Sequence, residues 1–178
     1  MIVNYLDHRP TIGESVFIAP DAWVIGQVEI GIKSSIFFGA VVRGDINPIS
    51  IGEESNLQDQ VMVHTSRGRT PTIIGNRVSI GHRAILHGCT IRDRSLVGMG
   101  AIVLDEVVVE EECLIAAGAV VTERQIIPAR SLVAGVPARV IRTLNDEDVR
   151  MIDGTAEAYL GKRADYLAMN LSGDSRNS

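Results

Sequence analysis

An aliphatic residue recurs every six positions along most of this chain. Ile12, Ile18, Val24, Ile30, Ile36 and Val42 form one run. The spacing resumes at Ile51, Leu57 and Val63, then at Ile74, Ile80 and Leu86. It runs again through Ile91, Val97, Val103, Val109, Ile115 and Val121, and on to Ile127 and Val133. Four residues after most of these stands a small or β-branched residue, such as Ala22, Val28, Ser34, Ala40, Ser55, Val61, Val78, Ala84, Ser95, Ala101 or Cys113. Glycine often follows the aliphatic directly, as at Gly13, Gly31, Gly52, Gly75, Gly81 and Gly98. A helix repeats every 3.6 residues and a strand every 2, so neither accounts for this period. A short strand that turns a corner every six residues does, with three such units making one triangular coil and coils stacking ~4.8 Å apart. The aliphatics then fill the prism and the glycines serve its corners.

The pattern resembles that of the left-handed β-helix proteins, an exception to the right-handed crossover rule. The fold class implied is an all-β left-handed parallel β-helix of hexapeptide repeats with a C-terminal α-helix. Eighteen clear hexapeptides make six coils, with a partial seventh. The expected organisation is an N-terminal arm (1–11), the β-helix (12–136), a linker and C-terminal helix (137–170) and a flexible tail (171–178). "AGVPAR" (134–139) breaks the repeat. From Asn145 the chain reads as a helix: Asn145 can cap it and acids fill its first turn. Val149, Ile152, Ala156, Tyr159, Leu160 and Leu167 form its apolar stripe, which would be buried along the outside of the β-helix.

Composition narrows the function. The net charge of −5 carries no basic excess, which argues against a nucleic-acid partner. No apolar run approaches the roughly 18 residues of a membrane span. The start lacks a basic segment followed by an apolar one, so no signal peptide is expected, and a soluble cytoplasmic protein is. Cys89 and Cys113 lie at or near inward columns and read as buried packing residues.

"SIGHRAILHGCTI" (79–91) sets His82 and His87 five residues apart. On the prism, Val42, Val63 and Leu86 begin equivalent strands of consecutive coils. The residues after them, Arg43, His64 and His87, therefore stack in one outward column about 5 Å per step. Two imidazoles at that separation can hold one metal ion. Asp59 and His82 stack at a different corner. Five extended residues span ~16 Å, so His82 and His87 of one chain cannot share an ion. A trimer removes the difficulty, with His64 and His87 from one chain and His82 from the next. The same contact would bring Arg43 to the neighbour's Asp59 as an interface ion pair.

"VVRGD" (41–45), "NLQDQVMVH" (56–64), "IGH" (80–82) and "LHG" (86–88) resemble the gamma-class carbonic anhydrases over nearly the whole chain. The resemblance implies that His64, His82 and His87 ligate zinc, with iron(II) or cobalt(II) as substitutes. It implies an intersubunit Arg43–Asp59 pair, and roles for Asp45 and Gln58 in orienting groups at the site. Tyr159 resembles a tyrosine that some relatives bring near the metal. The implied reaction is reversible hydration of carbon dioxide to bicarbonate by metal-bound hydroxide in a homotrimer with shared sites.

The chain departs from the fully active pattern at two places. Ile46 stands where some members have a glutamate, and the loop "TSRGRTPT" (65–72) carries Arg67 and Arg69 but no acid. Without an acidic proton shuttle, slow turnover is expected. The two arginines suit an anionic substrate, so a metal-dependent thioesterase acting on an acyl-CoA ester is an alternative. Others are a hexapeptide acyltransferase, which uses one histidine as a base and no metal, and a non-catalytic assembly subunit.

Overall fold

A computed structural model describes residues 1–68 and 70–169. The chain is a parallel β-solenoid of about seven turns closed by a single C-terminal helix, α1 (Asp146–Met169). The tail expected at 171–178 and Arg69 lie outside the described residues.

The six-residue period becomes three inward columns. On face one Ile12, Ile30, Ile51, Ile74, Ile91, Val109 and Ile127 pair in register, coil on coil. Face two stacks Ile18, Ile36, Leu57, Ile80, Val97, Ile115 and Val133. Face three stacks Val24, Val42, Val63, Leu86, Val103 and Val121. Nearly all are fully buried, and Cys89 and Cys113 are buried among them. Burial pushes the Cys89 thiol up to about 12, which leaves it protonated and inert.

The corners differ in one respect from the sequence reading. The left-handed turn conformation, three residues after the inward aliphatic, is held mostly by non-glycine residues, including Ser15, Lys33, Glu54, Arg77 and Arg94. The glycines that follow the aliphatics have another use. A Cβ on Gly31 would stand 2.6 Å from the backbone of Gly52 in the next coil, so these glycines let neighbouring coils close up.

Both ends depart from the expected boundaries. Ile2–Val3, within the expected arm, pairs with Val24 and Ile25 and extends face three. The expected linker is not a linker. Ala138–Thr143 forms a strand antiparallel to Ser131–Gly135, because the last coil presents an unpaired edge and "ARVIRT" is a good strand sequence to cover it.

Helix α1 lies along face two. At the lower end Leu144, Val149 and Ile152 cluster with Leu96, Leu114 and Leu132, which point outward from successive coils. At the far end Tyr166 stacks on Phe17 with centroids 5.2 Å apart and also meets Phe37 and Phe38. Tyr166 thus takes the place expected of Leu167, which is exposed, because the inward stripe of buried Ile152 and Ala156 and partly buried Tyr159 and Tyr166 keeps the heptad spacing. A 24-residue helix is about 36 Å long, close to the height of seven coils. Among the described residues, no helix is long and apolar enough to cross a membrane. Among the described residues, face three has no such cover. Its outward column Trp23, Val41, Met62, Ile85, Ile102 and Val120 is apolar throughout, and Trp23, Met62 and Ile85 are exposed.

The start of α1 is closed by a reciprocal cap. Asn145 Oδ1 accepts from the N–H groups of Glu147 and Asp148 at 2.9 Å, and Asp148 Oδ2 accepts from the Asn145 N–H at 2.9 Å. Arg142 donates to both Asp148 oxygens, at 2.6 and 2.9 Å. The Arg142 fork and then the Asn145 N–H hold the Asp148 carboxyl at about 2, against an ordinary 3.8. A folded value below the unfolded one contributes stability above the unfolded value, and that contribution is lost as pH falls toward the folded one. The stability gap between the native protein and Asp148→Asn should therefore be constant above pH ~4 and close between pH ~4 and ~2. Denaturant midpoints of the two proteins across that range check this.

Candidate metal centre

The register that stacks the core also stacks two histidines. Met62–His64 and Ile85–His87 pair in parallel, with Val63 opposite Leu86 and His64 opposite His87. Each histidine follows an inward aliphatic, so both leave the prism on the same side. Their ring centroids are 5.2 Å apart, and His64 Nδ1 faces His87 Nε2 at 3.2 Å. Two nitrogens each ~2.0–2.1 Å from a tetrahedral ion stand ~3.3 Å from one another. The pair already has the separation of two ligands to one ion.

The other nitrogen of each ring is held by a carboxylate. His64 Nε2 is 2.9 Å from Asp45 Oδ1, while Asp45 Oδ2 accepts from the Arg43 guanidinium. Burial alone would raise the Asp45 carboxyl, but the His64 and Arg43 hydrogen bonds and the Arg43 charge outweigh it and leave the group below its ordinary value. His87 Nδ1 is 3.1 Å from Asp105 Oδ1. Asp105 does not figure among the candidate residues read from the sequence. The stacking that places His87 over His64 also places Leu104 beside His87 and Asp105 beside Gly88, so the column rule carried one coil further reaches it.

The third histidine sits at another corner. Ile80 pairs with Leu57, which sets His82 over Asp59, and His82 Nδ1 is 2.7 Å from Asp59 Oδ2. The buried Gln58 accepts the His82 N–H through Oε1 at 3.2 Å and donates through Nε2 to Asn56 Oδ1 at 3.3 Å. Tyr159 reaches across from α1, its hydroxyl 3.4 Å from His82 Nε2. Burial and the nearby Asp59 charge raise the Tyr159 phenol, so it stays a donor. An open groove of about 440 Å³ runs from Gln58, His82 and Tyr159 along Leu96 and Leu114 under α1.

Within one chain, then, His64 and His87 come together with Asp45 and Arg43, and His82 comes together with Asp59, Gln58 and Tyr159. Arg43 and Asp59 are not paired with each other here: each has a partner on its own side. Among the described residues, no group of three or more His, Cys, Asp or Glu side chains in a single chain could hold an ion. Arg67 is exposed in the 65–72 loop. That loop is fastened to the histidine pair: Thr72 Oγ1 donates to the His64 carbonyl at 2.8 Å, Thr70 Oγ1 to the Gly88 carbonyl at 2.6 Å, and Ser66 Oγ to Asp105 Oδ2 at 3.3 Å.

Residues 71–105 match the model of the hexapeptide repeat of succinyl-transferase. The chain is 43% identical over 169 residues to a carbonic anhydrase of Geobacillus kaustophilus, covering 95% of this chain and 92% of that one. It is 43% identical over 174 residues to the mitochondrial gamma carbonic anhydrase 1 of Arabidopsis thaliana, covering 95% of this chain but only 63% of the plant protein's length. Among solved structures, a hexapeptide transferase family protein from Anaplasma phagocytophilum superposes with a TM-score of 0.89 at 40% identity, over 93% of this chain and 98% of that one.

Gly88 lies between His87 and its carboxylate. Its φ is +56°, and a Cβ there would overlap Asp105 Oδ1. Gly118 has a similar φ, +69°, with open space around it, at a turn position that Gln60 and Arg83 fill in other coils of the same face. Gly118→Ala should therefore cost no more than about 1 kcal/mol, and Gly88→Ala about 2 kcal/mol or more. Denaturant midpoints of both variants give the difference.

Proposed function

The chain belongs to the gamma carbonic anhydrase family, and on that premise we propose that it is a metal-dependent carbonic anhydrase interconverting carbon dioxide and bicarbonate. The observation that carries the reading is the pair of facing nitrogens on His64 and His87, 3.2 Å apart, with a carboxylate behind each ring. Carboxylate-anchored imidazoles are the usual form of histidine metal ligands. His82 of a neighbouring copy supplies the third nitrogen, its own Nδ1 anchored on Asp59 and its Nε2 facing the Tyr159 hydroxyl at 3.4 Å until the ion is bound. Three neutral imidazoles with one open position suit zinc, and iron(II) or cobalt(II) fit the same donors. The ion would supply Lewis acidity, bringing the pKa of a bound water to about 7.

The assembly is a homotrimer with sites shared between copies. The apolar column on face three supports this, since it lies uncovered beside His64 and His87. Bringing that face to the His82 corner of the next copy also joins Arg43 to Asp59. The remaining roles follow from the geometry. Gln58 fixes the backbone at His82. Tyr159, a protonated phenol beside His82 Nε2, can donate to an oxygen of the substrate once that nitrogen is engaged. The groove under α1 offers apolar walls to carbon dioxide, whereas charged bicarbonate leaves toward water.

The hexapeptide transferases share the solenoid, and their chemistry uses one histidine as a general base. Three histidines each with its own carboxylate exceed what that reaction needs. The acyl-CoA thioesterase alternative rests on the loop arginines alone.

Elemental analysis should find about one divalent ion per subunit, and His64→Ala should lose most of it while staying folded. His82→Ala and His87→Ala chains should each bind little. Mixed after reversible dissociation, they should recover metal, because a mixed trimer contains one boundary with all three ligands. A mixture that binds no more than its parents would rule out the shared site.

Catalysis should be slow and limited by proton removal. Asp45 and Asp105 lie behind the imidazoles and are engaged there, and Ile46 and the 65–72 loop add no acid. We therefore expect kcat for hydration to rise with buffer concentration at fixed pH and ionic strength, with kcat/KM little changed. A glutamate placed at position 46 should raise kcat at low buffer. A fast kcat independent of buffer would show that a shuttle exists.

A further inference from the structure

We propose that Asp105 is a positioning residue for His87, holding the ring proton on Nδ1 so that a bare Nε2 faces His64. The inference rests on the metal-site reading above but stands on its own geometry. Asp105 is only 7% exposed, and both of its carboxylate oxygens are used. Oδ1 meets His87 Nδ1 at 3.1 Å and Oδ2 accepts from Ser66 Oγ at 3.3 Å. A neutral imidazole can carry its proton on either nitrogen. With the proton on Nε2, an N–H would point at His64 and the ring could not ligate there. A carboxylate at Nδ1 can only accept a hydrogen bond, so it favours the tautomer that keeps the proton on Nδ1 and offers Nε2 to a metal.

The backbone fixes the carboxylate in place. The Glu106 N–H donates to the Gly88 carbonyl at 2.7 Å and the Arg124 N–H to the Asp105 carbonyl at 3.1 Å, which locks the Asp105 corner between its neighbouring coils. Gly88 alone leaves room for Oδ1 in the coil beneath. The equivalent corner residues of the other coils on this face are Gly26, Gly44, Thr65, Gly88 and Glu123, so an aspartate here is not demanded by the repeat. Through Ser66, whose carbonyl also accepts from Asn47 at 2.7 Å, the same carboxylate ties the 65–72 loop to the ligand.

Two measurements on Asp105→Ala and Asp105→Asn test the assignment. The chain has four histidines, so ¹⁵N-histidine labelling resolves each ring. At pH about 8.5 the metal-free native protein should show His87 carrying its proton on Nδ1, with Nε2 bare. Asp105→Ala should shift His87 toward the other tautomer. Zinc affinity by chelator competition should fall about 10–100-fold in Asp105→Ala. It should fall less in Asp105→Asn, whose amide oxygen can still accept from Nδ1 while its NH₂ donates to Ser66. Denaturant midpoints of the metal-free variants separate this from a structural role: lowered stability with native zinc affinity and an unchanged His87 tautomer overturns the proposal. A native protein that binds no zinc overturns the metal reading instead, while the His87 tautomer in the metal-free variants still decides what Asp105 does.

Discussion

Each coil of this solenoid sets its residues directly over those of the coil before, and backbone hydrogen bonds between coils enforce that register. The left-handed corners show how strongly. A non-glycine residue in that conformation costs roughly 1 kcal/mol. Yet Lys33, Glu54, Gln60, Arg77, Arg83 and Arg94 all adopt it. At each, the N–H donates to the carbonyl of a corner residue in the preceding coil, as from Arg77 to Glu53 at 2.8 Å or from Arg83 to Asp59 at 2.9 Å. The bond between coils offsets the strain, and it repeats at corner after corner. Charged side chains there pair along the stack, as Arg77 does with Glu54 at 2.8 Å, but such exposed pairs contribute little beside the backbone bonds.

The same register builds the site. His64 and His87 meet because they occupy one position in successive coils, as do Asp59 and His82. Identical functional geometry could be moved one coil along the prism by shifting residues eighteen positions, so what marks this level as special is chemistry. Three carboxylates, Asp45, Asp59 and Asp105, each face one imidazole here. Carboxylates and histidines at a half-buried surface are costly to assemble unless they satisfy one another. Pairing meets that need while leaving one nitrogen of each ring for another partner.

The solenoid was legible in the sequence because its period is long, regular and unlike that of any other element. The same counting aligns Val42, Val63 and Leu86, and so sets His64 and His87 in one column. What it missed were features that interrupt the count or cross it. Ile2–Val3 joins face three through the edge of the first coil, with no aliphatic six residues away to announce it. Ala138–Thr143 pairs antiparallel, outside the repeat. Leu167 lost its place to Tyr166 because α1 meets an aromatic cluster of Phe17, Phe37 and Phe38 at the top of face two, and a planar ring stacks there better than a branched chain. Asp105 was missed because its contact with His87 is diagonal, one coil on and one residue over. Sequence columns display the residue directly above, whereas side chains also reach neighbours to either side.

The shape of the prism bears on why the histidines divide as they do. A convex solenoid cannot surround an ion. Outward side chains on a flat face run parallel, so adjacent coils can aim two of them at one point, but a third in line stands about 10 Å from the first. Side chains at different corners diverge. A third donor must then come from a loop, from α1 or from another copy. In this chain the 65–72 loop uses the hydroxyls of Ser66, Thr70 and Thr72 on Asp105 and on the backbone of Gly88 and His64, and α1 brings Tyr159 to His82 rather than to the stacked pair. In the proposed assembly that source is a second copy, and the contact that would complete the coordination would also cover the exposed Met62 and Ile85. In that proposed trimer the metal site and the subunit interface would form together, and loss of either would weaken the other.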